Sequence, residues 1–288
     1  MKNKVVLITG ANRGIGKATA IALAKLGATV VIGCRNEKKG LEAVRDIRRA
    51  SNNPEVDLLL IDLASQRSVR EAVEEFKNRY YHLDVLINNA GVFLPNRELT
   101  EDGIEKNFAT NYLGHFLLTH LLLDTLKASA PSRIICVASK HTGIKMNLED
   151  LMLEKKFSTM AAVGPTKLGL VIFAKELSKR LINTGVTINS LHPGLTKTDL
   201  LKDTGFMLRL IFKLLPKGSP EKGAETSVYL ASSPEVEHIS GKFFSDKKEI
   251  ATSAGANDEA LNKRFYELSL KLAHLSEDIH EPELFAEF

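Results

Sequence analysis

The 288 residues predict a single-domain α/β protein: a doubly wound parallel sheet with helices on both faces. Three observations carry this. Short Val/Ile/Leu-rich runs recur along the chain, without the polar alternation of a half-exposed sheet, so their strands are buried on both faces. Amphipathic stretches of helical length separate them. Right-handed crossovers between such strands wind the sheet outward from its middle. No Pro/Gly/Ser linker and no internal repeat breaks the chain, so residues 1–250 are read as one domain.

Strands are expected at 5–8, 29–32, 56–61, 85–87, 133–137, 186–191 and 242–244. The first leads into a glycine-rich turn, Thr9 to Gly16, and then into a helix from Lys17 onward. A strand, a tight glycine turn and a helix in that order cradle phosphate. Gly10 serves the turn, Gly14 the close approach of a pyrophosphate, and Gly16 the packing of helix on strand. Ligands in such sheets sit beyond the carboxyl ends of the strands, and each further motif follows a strand end.

Gly33-Cys34-Arg35-Asn36-Glu37 follows the second strand, where an adenosine ribose belongs. An acidic residue there would bind a 2′-hydroxyl and repel a 2′-phosphate. The first charged residue is Arg35, and Arg13 sits in the glycine turn. Two guanidinium groups favour a phosphate, so NADP(H) is expected over NAD(H), with Glu37 as the counter-argument. Asp62-Leu63 follows the third strand, where Asp62 serves either the adenine amino group or a helix cap. Asn88-Asn89-Ala90-Gly91 follows the fourth, with small residues for close approach and amides to tie neighbouring strands.

Net charge is +4 with no dense Lys/Arg run, which argues against nucleic acid. Cys34 and Cys136 lack metal-site spacing and fall in expected strands, so buried reduced thiols, no metal and a cytoplasmic setting are expected. The first strand starts so early that no signal peptide is expected, and no apolar run is long enough to span a bilayer.

Thr9-Gly10-Ala11-Asn12-Arg13-Gly14-Ile15-Gly16, then Asn88-Asn89-Ala90-Gly91, Asn111, Ser139, Lys167 and Pro193-Gly194 together resemble the short-chain dehydrogenase/reductase family over roughly residues 4 to 250. The pieces CRN, LINNAGV, NYLGHFLLTHLLL, APSRI and ISGKFFSD look most like its retinol-dehydrogenase-like branch. The resemblance implies a Rossmann-type fold and hydride transfer between NADP(H) and an apolar carbonyl or alcohol. It implies cofactor contacts from Gly10, Asn12, Arg13, Gly14, Ile15, Gly16, Arg35, Asp62, Leu63, Asn89, Ala90, Gly91, Lys167, Pro193, Gly194 and Thr198. It also implies catalysis by Asn111, Ser139 and Lys167, joined in the family by a Tyr four residues before the Lys. That spacing puts both on one helix face, where the ammonium favours the phenolate and lets the phenol exchange a proton at the carbonyl.

Val163 stands four residues before Lys167, and no Tyr lies between Tyr112 and Tyr229. Three readings stay open: an inactivated reductase, a cofactor-binding sensor or scaffold, or a non-redox enzyme using Ser139, His141 and Lys167, with Lys140 and Thr166 as weaker candidates. The helix carrying Lys167 is expected to begin near Ala162, which makes Pro165 a first-turn residue. The stretch 206–215 reads as a lid over an apolar substrate, with contact to a membrane surface as its rival; Phe93, Leu94 and Met146 are its expected neighbours. A helix with the stripe Leu261, Phe265, Leu268, Leu272 and Leu275 should pack on the domain within 251–275, and residues 276–288 form an acidic tail expected to be mobile. By family analogy the apolar helix around 111–127 suits a homodimer face.

Overall fold

The structure is a computed structural model that describes residues 1–140, 144–194 and 218–276. Eight strands form one sheet: β1 Val5–Thr9, β2 Thr29–Cys34, β3 Val56–Leu60, β4 Val85–Asn88, β5 Ser132–Val137, β6 Val186–His192, β7 Phe243–Ser245 and β8 Lys248–Ile250. Their order is β3-β2-β1-β4-β5-β6-β7-β8, parallel except for the antiparallel pair β7–β8. The seven expected strands are all present. β8 was not foreseen, because Lys248 and Glu249 carry no apolar signal; charge on a short edge strand discourages pairing with another chain.

Alternate strand residues feed two cores. Val5 and Leu7 face one, Val6 and Ile8 the other. The first core is covered by α3 (Gln66–Arg79), α4, α5 (Thr159–Arg180) and α7 (Glu259–Leu272). Here α4 is the run Lys106–Phe108, the π-turn Ala109–Leu113, Gly114–Leu121 and Leu123–Ala128. The second core is covered by α1 (Gly14–Lys25), α2 (Glu37–Ser51) and α6 (Pro220–Ser232).

Side-chain caps set most helix starts. Asn36, Ser65, Ser158, Ser219 and Asp258 each accept a backbone N–H in the first turn of α2, α3, α5, α6 and α7. The Ser158 cap corrects the expected start of α5: the helix begins at Thr159, so Pro165 lies in its second turn and supplies no N–H to the carbonyl of Ala161. α1 begins at Gly14, not Lys17, so the turn proper is confined to Gly10–Arg13.

α7 of the same chain packs on one side of α4, the helix expected by family analogy to suit a homodimer face. Tyr112, Phe116 and His120 are buried there with Phe173 of α5 against Phe265 and Tyr266. Tyr112 Oη lies 2.8 Å from Ser269 Oγ, and His120 Nε2 lies 2.8 Å from Tyr266 Oη. The buried side of α7 is therefore Asn262, Phe265, Tyr266, Ser269 and Leu270. Of the expected stripe, Phe265 lies on this buried side, while Leu261, Leu268, Leu272 and Leu275 are half-buried at its margin, because hydroxyl partners in α4 decide which side docks.

Candidate active site

Sheet order reverses between β1 and β4, which opens a crevice at their carboxyl ends. Asn89 Nδ2 donates to the Thr9 carbonyl at 2.7 Å, and Thr9 Oγ1 accepts from the backbone N–H groups of Asn89 (2.9 Å) and Ala90 (3.0 Å). The two strand-end turns are thus one unit. Gly10 has φ +67°, and a Cβ on it would lie 2.8 Å from Ala90 Cα. A Cβ on Gly16 would lie 2.8 Å from the Gly10 carbonyl oxygen, so glycine there lets α1 close on the turn. Gly14, Ile15 and Gly16 occupy the first turn of α1, whose N–H groups have no intrahelical acceptor. Arg13 caps α1 with extended backbone and no side-chain hydrogen bond, and the first turn holds no acid. The positive end of α1 is left to the crevice, and Asn12 is half-buried beside it.

Arg35 and Arg13 are exposed at the β2 end of the crevice. Both, with Lys39, place positive charge near the Cys34 thiol, whose pKa burial nevertheless pushes up. Glu37 lies in the first turn of α2, where the helix dipole favours an acid. Asp62 does not cap α3; that is Ser65. Its Oδ1 accepts from Ala64 N at 3.0 Å and tightens the turn after β3. Leu63 is buried in the core, and its backbone packs against Gly114.

Asn111 lies in the π-turn of α4. Its Oδ1 accepts from Val92 N at 2.7 Å and its Nδ2 donates to the Val92 carbonyl at 3.0 Å, clamping the loop after β4. Lys167 is buried, and its Nζ donates to the Val137 carbonyl at 2.9 Å. Burial lowers its pKa to about 8. A point one Cβ above Gly91 is 3.5 Å from Asn111 Oδ1 and 3.7 Å from Lys167 Nζ, so both groups flank the same spot. Ser139 follows β5 and shares a small depression with Lys140, Leu168, Val171, Phe243 and Thr252. His192 Nδ1 accepts from Lys140 N at 3.2 Å, fixing this turn to the end of β6. Pro193 and Gly194 follow, with Gly194 at φ +77°.

Val163 is 2% exposed and buried one helical turn before Lys167. Thr166 is buried and its hydroxyl donates to the Val163 carbonyl at 2.7 Å, which engages one of the expected substitutes. Met146 packs in the core, while Phe93 and Leu94 are half-buried. His141, Thr196, Thr198, the stretch 206–215 and the tail 277–288 lie outside the described residues.

Two residues escaped the sequence reading. His192 looked like the end of a strand. His115 is fully buried, with its Nε2 2.9 Å from Thr9 Oγ1 and its Nδ1 3.2 Å from the Asn111 carbonyl oxygen. The available signal was an ionisable residue inside the apolar run NYLGHFLLTHLLL.

A glycine turn at a topological switch point, with an amide and a buried amine beside it, is the arrangement in which doubly wound α/β proteins bind their ligands. The chain belongs to the short chain dehydrogenase family, whose model matches residues 4–207. It is 46% identical over 283 residues to mouse (Mus musculus) retinol dehydrogenase 13, covering 95% of this chain and 84% of that one. It is 43% identical over 288 residues to human (Homo sapiens) retinol dehydrogenase 14, covering 93% and 86%. A solved structure of a putative uncharacterized protein from Mycobacterium Paratuberculosis superposes with TM-score 0.78 at 31% identity, covering 96% and 95%. The fold is also shared with 3-ketoacyl-(acyl-carrier-protein) reductase from Brucella melitensis, solved with NADH, at TM-score 0.66 and 24% identity over 89% of this chain and 98% of that one.

Proposed function

We propose that the chain binds NADP(H) and descends from reductases of apolar carbonyls and alcohols, with its own hydride transfer impaired by Val163. The observation that carries the cofactor reading is the convergence of Arg13, Arg35 and Lys39 on the end of β2, with no acid ending that strand. A 2′-phosphate would accept from these cations, whereas a bare ribose would leave them unused. The pyrophosphate would lie on the Gly14–Gly16 turn, and the nicotinamide ribose beside Asn111 and Lys167. A nicotinamide cofactor held there would supply hydride chemistry; Ser139 would orient the carbonyl, and Lys167 would hold a ribose hydroxyl. Pro193, Gly194 and Thr198 would complete the nicotinamide side.

Val163 occupies the position at which the family places its proton-donating Tyr, and an isopropyl group donates nothing. Loss of a positioned acid lowers rate by about 10²–10⁴. The same buried valine supports a second reading, a cofactor-binding protein with no turnover. No helix among the described residues is long and apolar enough to cross a membrane. A cytoplasmic setting is part of the proposal.

The test is paired. NADPH and NADH are titrated by fluorescence, and NADPH oxidation is followed with a panel of apolar aldehydes and ketones for this chain and for Val163→Tyr. NADPH should bind at least tenfold tighter than NADH, and turnover should rise about 10²-fold or more in the variant. Equal binding of the two cofactors overturns the NADP(H) reading. Full turnover by the unaltered chain overturns the impairment, and binding without rescue favours the silent binder or a non-redox enzyme.

A further inference from the structure

We infer that His115 is a positioning residue: as the neutral Nδ1–H tautomer it joins the Asn111 carbonyl to the Thr9 hydroxyl and so holds Asn111 in register with the phosphate turn. The inference takes the cofactor crevice as its setting and is carried by donor counting around one hydroxyl. A threonine hydroxyl has two acceptor lone pairs and one proton. The N–H groups of Asn89 and Ala90 occupy both lone pairs of Thr9 Oγ1. Its proton then goes to His115 Nε2 at 2.9 Å or to the Ile87 carbonyl at 3.4 Å, and the nearer acceptor is the imidazole. With Nε2 accepting, the ring proton is on Nδ1, where it meets the Asn111 carbonyl at 3.2 Å. The other tautomer would set Nδ1 and that carbonyl lone pair to lone pair and leave Nε2–H facing a hydroxyl with no lone pair to offer.

The chain of bonds therefore has one direction, from the turn after β4 through Thr9 and His115 to Asn111. Complete burial keeps the ring neutral, as does the nearby Lys167; its pKa falls to about 3. The consequence is geometric. Asn111 clamps Val92 with both ends of its side chain, and its Oδ1 shares the space over Gly91 with Lys167 Nζ. His115 fixes the backbone from which that clamp projects, at the π-turn where the helix departs from regular spacing.

Two measurements on the full chain test this. Nitrogen-15 NMR of labelled histidine should show His115 as an Nδ1–H ring that does not titrate between pH 5 and 9. An Nε2–H tautomer, or titration in that range, overturns the inference, whether or not the chain binds any cofactor. The variants His115→Leu and His115→Asn are then compared by the side-chain amide signals of Asn111 and by NADPH titration. Leucine fills the space without hydrogen bonding, whereas the Asn amide can occupy the Nδ1 position. Leucine should shift the Asn111 amide signals and raise the NADPH Kd at least fivefold, and Asn should restore the signals toward those of the parent. Unchanged Asn111 signals in His115→Leu overturn the inference. If His115→Leu does not fold, the tautomer and the Asn variant decide. A parent chain that binds neither NADPH nor NADH refutes the cofactor reading alone, and the NMR outcomes still judge His115.

Discussion

Lys167 shows how one side chain couples site chemistry to stability. Its ammonium is buried and donates to the Val137 carbonyl, and burial lowers its pKa from 10.5 to about 8. The unfolded chain therefore binds a proton between about pH 8 and 10.5 that the folded chain has released. Stability contributed by this group rises with pH across that window, and the cost of the buried charge is fully present below it. Lys167→Met removes the charge while keeping most of the stem. Urea unfolding should show the variant more stable at pH 7 by about 1–3 kcal/mol, with the advantage shrinking toward pH 10. A constant difference across that range would place the cost elsewhere. Gly10 makes the opposite case: its constraint is steric. Gly10→Val would force a Cβ against Ala90 at φ +67°, and should abolish NADPH binding with a lowered Tm. Gly10 was legible in the sequence because a strand–turn–helix pattern requires such a residue. His115 and His192 were not, since their importance lies in partners 106 and 52 positions away.

Among the elements, α7 is the one whose role changed most. Its leucine stripe announced a packed helix, but the docking side is chosen by Phe265, Tyr266 and Ser269 against α4 and α5. Arg180 lies 4.0 Å over the Tyr266 ring and adds a cation–π contact. Phe265→Ala leaves a cavity among Phe108, Tyr112 and Phe265's other neighbours, and should destabilise the chain by about 3–5 kcal/mol in denaturant unfolding. Leu268→Ala, at the half-buried margin, should cost clearly less. Equal losses would mean that the leucines of the stripe dock the helix as much as its aromatic side does. The π-turn in α4 had a faint signature, since Asn111 is a poor helix former in an apolar run. Its geometry was not written there, because a widened turn is stabilised by the Val92 backbone and by His115.

At the scale of the molecule, the sheet brings together residues from β1 to β6 at one edge, and the crevice is made of turns that share hydrogen bonds. Ligand binding there should be felt globally. NADPH at one hundred times its Kd should stabilise the folded chain by about 2.7 kcal/mol, seen as a rise in Tm. The same concentration of NADH should give a smaller rise. Arg13→Glu with Arg35→Glu should reverse or erase that difference while leaving the Tm of the free chain nearly unchanged, because both side chains are exposed. A preference that survives both charge reversals would assign it to other groups.

Legible in the sequence were the sheet, its buried strands and the glycine turn after β1, with Asn111, Ser139 and Lys167 as candidates near the strand ends. Those features follow from local rules: apolar runs of strand length, glycine where a Cβ would collide, and recurring motifs after strand ends. The proposed loss of a proton donor rests on the resemblance, which implies a Tyr at the position of Val163. The docking of α7, the place of Pro165 inside α5 and the position of His115 between Thr9 and Asn111 emerge with the packed fold. The physical reason is that these depend on pairing polar groups across distant segments. A buried hydroxyl or imidazole takes whichever partner the packed fold supplies, and no local pattern names that partner in advance.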